Sequence, residues 1–281
     1  MRIWIQSFAD LTQLPGYGAM LAERALAVLG ASTHADVHGV APGTFPRDIP
    51  PVHMHHYRWA NHLITIQVVE NAMRAEREGY DAFALSCFID PGVDLARSVV
   101  SIPVISSLWT SLTLAATVGR SYGLITLDRD TADAQANLVR DYGFSDSMMA
   151  IEALDPPVTE HDLDGAFSEK SELVERFRGH AERLVAAGAD VIIPAEGLLN
   201  TIMVRHGVQT VLDCPVVDSY GGLLALAEML VQQRRQSGLT AGRRGAYAKP
   251  STELIGHLRA TCADVLADTQ SASRTAPLAA D

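Results

Sequence analysis

A thiol and a carboxylate stand at matching places in two similar stretches of this 281-residue chain. Cys87 closes the run Glu78-Gly79-Tyr80-Asp81-Ala82-Phe83-Ala84-Leu85-Ser86-Cys87. Glu196 closes Ala187-Gly188-Ala189-Asp190-Val191-Ile192-Ile193-Pro194-Ala195-Glu196. Setting Gly79 on Gly188 without gaps puts both groups eight residues further on. Each run leaves a helix-like stretch, turns at glycine and follows an apolar strand. Both side chains are therefore expected where a parallel strand ends, the edge at which open α/β sheets bind ligands. A free cysteine is ordinarily a small buried hydrophobe; its place in the repeat singles Cys87 out. Ordinary pKa values of ~8.5 and ~4.3 make the pair an asymmetric acid and base. A helix start after Cys87 predicts a lowered thiol pKa, and burial predicts a Glu196 pKa raised toward ~6–7.

The elements that must position this pair alternate. Strands are predicted at 2–7, 36–40, 82–86, 104–106, 122–127, 191–195 and 216–219. Helices are predicted at 19–29, 60–78, 108–118, 131–141, 171–187 and 222–236. Apolar strands alternating with amphipathic helices give parallel sheets covered on both faces. The repeat extends into Ile102-Pro103-Val104-Ile105-Ser106-Ser107 and Cys214-Pro215-Val216-Val217-Asp218-Ser219. The expected architecture is two pseudo-symmetric, doubly wound α/β lobes with the active site in the cleft between them. Residues 1–113 plus 221–281 would form the N-terminal lobe with the C-terminal helices, and 114–220 the second lobe. Ser7, Ser107, Thr126 and Ser219, at or beyond strand ends, are candidate substrate contacts. After the linker 237–250, Ser251 is predicted to cap a last helix with Leu254, Leu258 and Val265 on one face, frayed from Thr269 onward.

Composition narrows the function classes. Hydrophobic residues at 48% support a sizeable core. The balance of 22 basic and 33 acidic residues, net −11, argues against a nucleic-acid surface. No apolar stretch is long enough to cross a membrane, and residues 1–7 read as a strand rather than a signal peptide. Cys87, Cys214 and Cys262 are too few for a disulfide framework or thiolate zinc site, so a cytoplasmic protein with reduced thiols is expected. Cys214 and Cys262 are read as structural. His53-Met54-His55-His56 has no partner motif for a metal. It is read as a loop bordering the cleft, with His55 a substrate contact and Tyr57, Arg58, Trp59 and Asn61 nearby. Gly16-Tyr17-Gly18 lacks the pattern of a nucleotide loop, and no Gly-x-Ser-x-Gly elbow is present.

The residues around the pair resemble the aspartate/glutamate/hydantoin racemase superfamily, hydantoin racemases most closely, over roughly residues 57–230. Ser86-Cys87-Phe88-Ile89-Asp90-Pro91-Gly92 is similar to that family's Gly-Cys-Phe-x-Asp-Pro-Gly. Ile102-Pro103-Val104, Leu114-Ala115-Ala116 and Gly119 through Gly123-Leu124-Ile125-Thr126 add to the likeness. The resemblance implies two lobes, no cofactor, and opposed cysteines that move a proton across a substrate carbon. It makes Cys87 the first thiol, with Phe88 and Thr126 beside the substrate. The family's second half reads Gly-Cys-Ala-Gly where this chain has Pro194-Ala195-Glu196-Gly197, so Glu196 takes the second cysteine's place. Gln6-Ser7-Phe8 also replaces the Asn-Pro-Asn of hydantoin racemases.

Unequal partners favour one-way hydrolytic or lyase chemistry on a small hydantoin-type ring. Thiohydantoin desulfurisation, with Glu196 activating water and Cys87 handling a proton or a covalent intermediate, is the specific expectation. A hydantoin or amino-acid racemase or isomerase, a decarboxylase of an α-substituted acid, and a non-catalytic small-molecule binding protein are the alternatives. The expected partner is a small-molecule substrate, with neither nucleic acid nor membrane, in a homo-oligomer; no metal or cofactor is called for.

Overall fold

Two parallel sheets organise the chain, and in each the strand that comes first in sequence lies inside the sheet. The computed structural model describes residues 1–47, 49–54, 56–165 and 172–273. The first sheet takes β1 (Arg2–Ser7), β2 (His34–His38), β3 (Ala82–Ser86) and β4 (Val104–Ser106) in the order β2-β1-β3-β4. The second takes β5 (Tyr122–Thr126), β6 (Met148–Ala153) and β7 (Val191–Pro194) in the order β6-β5-β7. Every pairing within both sheets is parallel. Strand order reverses between β1 and β3 and again between β5 and β7, so each sheet has a switch point at its carboxyl edge.

The helices between these strands are α1 (Pro15–Val28), α2 (Pro51–Met54), α3 (Arg58–Arg77), α4 (Val93–Val99), α5 (Ser107–Val118), α6 (Arg129–Asp141), α7 (Glu160–Gly165) and α8 (Glu172–Ala186). Then come α9 (Gly197–Arg205), a hairpin of β8 (Thr210–Val211) and β9 (Cys214–Pro215), α10 (Ser219–Ser237) and α11 (Thr252–Ser273). No described helix is long and apolar enough to cross a membrane.

Alternate strand residues serve opposite faces, the period-2 rule for sheets covered on both sides. In the first sheet Ile3, Ile5, Ala82 and Ala84 enter one core while Trp4, Phe83 and Leu85 enter another. In the second, Ile125 and Ile192 join the core of Ile3 and Ile5, and Leu124, Val191 and Ile193 enter a third. The shared core joins the two sheets. Helix α5 packs on β4 and α10 on one side and reaches β7 on the other, across the residue-113 boundary expected between lobes. Helix α10 returns to pack against β3, β4 and α1.

Two expectations about strands need correction. The segment 216–219 does not form a fourth strand; Val216 makes one parallel bridge to Ile192, and Val217 N–H donates to Ile192 O at 2.9 Å. Just before it, Leu212 and Asp213 adopt φ of 47° and 65°, closing a two-residue hairpin that pairs Pro215 with Thr210. Only Val216 onward is left to meet β7, and Ser219 already begins α10. Strand β6 was not anticipated: its residues are mostly half-buried and lack a clear alternation.

Candidate active site

Cys87 follows β3 directly, and the fold holds its loop from several sides. Ser86 pairs in register with Ser7 of β1, which brings two hydroxyls and the thiol to one sheet edge. Three residues on, Asp90 takes φ +44° and is buried. Its carboxylate accepts from Ser106 Oγ and Tyr142 OH, both at 2.8 Å, and from Leu108 N and Trp109 N, both at 3.3 Å. It thereby fastens the Cys87 loop to the start of α5. Burial pushes the Asp90 carboxyl up to about 6 despite those donors. Gly92 has φ +73°, and a Cβ there would stand 2.8 Å from Thr65 Cγ2, so the position needs glycine.

The thiol does not titrate as its sequence position predicted. Burial first, then the charges of Asp90, Glu196 and Glu160, push Cys87 well above the usual thiol range. A single N–H bond from Ile89 opposes them. Helix α4 begins only at Val93, too far along the chain to lower the thiol pKa through its first turn. At neutral pH Cys87 is a protonated acid.

Glu196 arrives by the corresponding route. Gly188, with φ +99°, turns the chain from α8 into β7 as Gly79, with φ +78°, turns it from α3 into β3. Glu196 is extended and caps α9, its Oε2 accepting from Leu199 N at 2.8 Å. Burial pushes its carboxyl up to about 7, against the N–H bonds of Leu199, Leu198 and Gly197. The next residue must be small, because a Cβ on Gly197 would collide with the Tyr17 hydroxyl.

Cys87 and Glu196 line one pocket. Ser7, Ser86 and Phe88 border it from the first sheet's edge, and Leu127, Ala195 and Gly197 from the second's. Four polar residues complete it that sequence reasoning had not assigned. Tyr17 lies in α1 with its hydroxyl 3.5 Å from Ser86 Oγ, and burial followed by the Glu196 charge raises its pKa. Thr131 and Gln135 come from the buried stripe of α6. Glu160 opens α7, is 6% exposed, and accepts from Val52 N at 3.0 Å. Burial and then the Glu196 charge push Glu160 up to about 8. Thr131 and Gln135 carried a signal in sequence: polar side chains four residues apart on an otherwise apolar stripe, with Ala132 and Val139. Glu160 carried none, standing in the acidic run Glu160-His161-Asp162-Leu163-Asp164.

Other candidates lie elsewhere. Thr126 is fully buried with Oγ1 3.4 Å from Ala195 O, and its neighbour Leu127 faces the pocket instead. Ser107 donates to Leu85 O at 3.3 Å and Ser219 begins α10; neither lines the pocket. His55 lies outside the described residues, as do residues 274–281 of the expected frayed end and the side chain of Val265. His56 turns to Asp130 at 3.1 Å and Asp128 at 3.5 Å, while Pro51 and Val52 of α2 reach the pocket. Tyr57 and Trp59 are exposed and do not line it. Among the described residues no cluster of three His, Cys, Asp or Glu side chains could hold a metal. Cys214 reaches toward Ala189 O at 3.5 Å, whereas Cys262 is exposed on α11 and fills no core.

A protonated thiol and a carboxylate near half-ionisation, on equivalent strand ends, can move a proton to and from a carbon without a cofactor. The chain is similar to proteins described as racemases. It is 28% identical over 177 residues to a hydantoin racemase from Rhizobium meliloti, covering 63% of this chain and 69% of that protein. The allantoin racemase from Klebsiella pneumoniae superposes with a TM-score of 0.73 at 22% identity, covering 90% of this chain and 94% of that one. The allantoin racemase from Pseudomonas fluorescens gives 0.66 at 20% identity, covering 89% and 97%. The family described as Asp/Glu/Hydantoin racemase matches residues 30–229, most of the chain and the whole of both sheet edges that carry Cys87 and Glu196 except β1, and the chain belongs to that family.

Proposed function

We propose that the protein inverts a stereocentre next to a carbonyl in a small, neutral, hydantoin-type ring. The reading rests on one observation above others: Cys87 and Glu196 sit on equivalent strand ends and line the same pocket in complementary protonation states. Ionised Glu196 takes the ring C–H proton, and the electron pair moves onto the adjacent carbonyl oxygen as an enolate. The Cys87 S–H returns a proton to the opposite face, leaving a thiolate and a carboxylic acid. Proton transfer from Glu196 to Cys87 through solvent restores the resting state. Ser7 Oγ accepts from Ala9 N at 3.1 Å, which leaves its hydroxyl hydrogen to donate to the enolate oxygen.

The lining supports a neutral substrate. No lysine, arginine or histidine borders the pocket among the described residues, while two carboxyl groups do. An acidic substrate such as a malonate or an amino diacid would meet two carboxyl groups and no cation to pair its charge. The decarboxylase reading weakens accordingly. Desulfurisation through a covalent thiol intermediate also loses support, because a thiol held protonated is a poor nucleophile. Similarity to hydantoin and allantoin racemases favours the inversion reading further.

The test incubates enantiopure 5-substituted hydantoins, and the matching 2-thiohydantoins, with enzyme in deuterated water. Inversion predicts loss of optical rotation with deuterium entering at the ring carbon. Sulfide release from the thiohydantoin without exchange would replace this reading with desulfurisation.

A further inference from the structure

The wall of the pocket formed by α6 and α7 carries polar groups that the proton transfer does not use. Gln135 is fully buried, and its Nε2 donates to Ala195 O at 2.7 Å. That carbonyl fixes the amide, since only the nitrogen end can face it, and so Oε1 is the end left over. Gln135 Oε1 is buried with no hydrogen-bond partner. One helical turn earlier, Thr131 Oγ1 is buried and unpartnered as well. Thr131 N–H is satisfied by the Asp128 side chain at 2.8 Å, so the hydroxyl is not needed to cap α6. Glu160 faces the same pocket from α7, one oxygen held by Val52 N.

Buried polar atoms are rarely left without partners, and one that lines a binding pocket marks where a ligand should supply the missing group. Gln135 Oε1 can only accept and Thr131 can donate or accept, while Glu160, pushed up to about 8, is the group whose ionised, accepting form an N–H donor on a ligand would favour. The complement is a ligand edge with two N–H donors flanking a carbonyl.

We propose that Gln135, Thr131 and Glu160 form a specificity wall that reads the N–H/C=O/N–H edge of a cyclic ureide. Gln135 and Glu160 take the two N–H groups, and Thr131 donates to the carbonyl between them. The inference rests on the hydantoin-ring reading above and adds to it the residues that select the ring. Ala195, the residue that anchors Gln135, immediately precedes Glu196. The group that positions the ring is thus tied to the strand end that carries the base, so a ring seated on Gln135 is registered against Glu196. A substrate methylated on either ring nitrogen loses a donor and leaves a buried acceptor unpaired, which costs far more than removing an apolar contact.

The experiment measures kcat/KM for a 5-substituted hydantoin and its N1-methyl and N3-methyl derivatives. Wild type should discriminate against at least one methylated ring by ~100-fold or more. Gln135→Met should bring that ratio within about fivefold. Glu160→Gln, which keeps an oxygen for Val52 N, should relax discrimination against the other nitrogen, so either variant alone suffices if its companion does not fold. Equal turnover of all three rings by wild type, or undiminished discrimination in both variants, overturns the wall while leaving the inversion reading intact. Failure of wild type to bind or turn over any hydantoin removes the inversion reading and this inference together.

Discussion

Cys87 and Glu196 each stand eight residues beyond a glycine of positive φ, Cys87 one residue past β3 and Glu196 two residues past β7, a parallel strand of each sheet. The two positions correspond, yet their surroundings drive the side chains in chemically complementary directions. Burial favours the neutral form of both. For a thiol that means an acid throughout the neutral range; for a carboxyl it means a base with a pKa of about 7. One physical cause therefore yields an acid and a base, because the two groups start from different ordinary values.

The pH dependence of activity follows from this assignment. Glu196 must be ionised to remove a proton, so kcat/KM should rise about tenfold per pH unit below neutrality and level off above about pH 7. Replacing Cys87 should leave that ascending limb in place for any residual exchange. A profile that falls across this range would assign the base to another group.

Stability should move the other way. Folded Glu160 titrates near pH 8, above its unfolded value, so between about pH 5 and 8 the native state holds a proton that the unfolded chain has lost. The native state then binds more protons, and stability falls as pH rises, by at most ~1.4 kcal/mol per unit for each such group. Asp90 and Glu196 contribute in the same direction up to about pH 6 and 7. His38, held below its ordinary value by burial, opposes them as it titrates, so the difference between proteins is the cleaner reading. Urea midpoints at pH 5 and pH 8 should diverge less in Glu160→Gln than in wild type. Equal divergence would mean that Glu160 is not titrating in this window.

Asp90 is expected to matter through position rather than contact with substrate. Asp90→Ala leaves the Ser106 and Tyr142 hydroxyls and the first N–H groups of α5 without their acceptor, in a buried place. A loss of ~2–4 kcal/mol is expected in chemical denaturation. Activity should fall more than the folded fraction does, since the Cys87 loop is released. A variant with unchanged stability would show that these bonds are not formed in solution.

The strand-end positions of Cys87 and Glu196 were legible in the chain because glycine turns and apolar strands set local geometry that tertiary packing did not override. The second sheet repeats the first closely enough that Gly188 finds Glu196 as Gly79 finds Cys87. What could not be read is what depends on distant segments. Glu160 becomes a buried carboxyl only because α7 folds over α1, where Asp164 accepts from Tyr17 N at 2.8 Å. The thiol pKa depends first on burial and then on the charges of Asp90, Glu196 and Glu160, and neither the burial nor the approach of Glu160 from α7 is apparent from the strand end alone. The reduction of the expected strand at 216–219 to a single bridge from Val216 depends on the hairpin that ends at Pro215 just before it. Thr126 points away by one residue because strand alternation sends Leu127 inward, a parity that the expected strand end at 127 obscured.

Cys87→Ser, in deuterated water with each pure enantiomer of one hydantoin, tests the acid–base assignment most directly. With Glu196 intact and the acid removed, one enantiomer should exchange its ring hydrogen for deuterium with retained configuration, while inversion drops by ~10³-fold or more. The other enantiomer should show almost no exchange, and Glu196→Gln should abolish exchange of the first. Exchange of both enantiomers at wild-type rates in Cys87→Ser, or full exchange in Glu196→Gln, would contradict the pairing of a Cys87 acid with a Glu196 base.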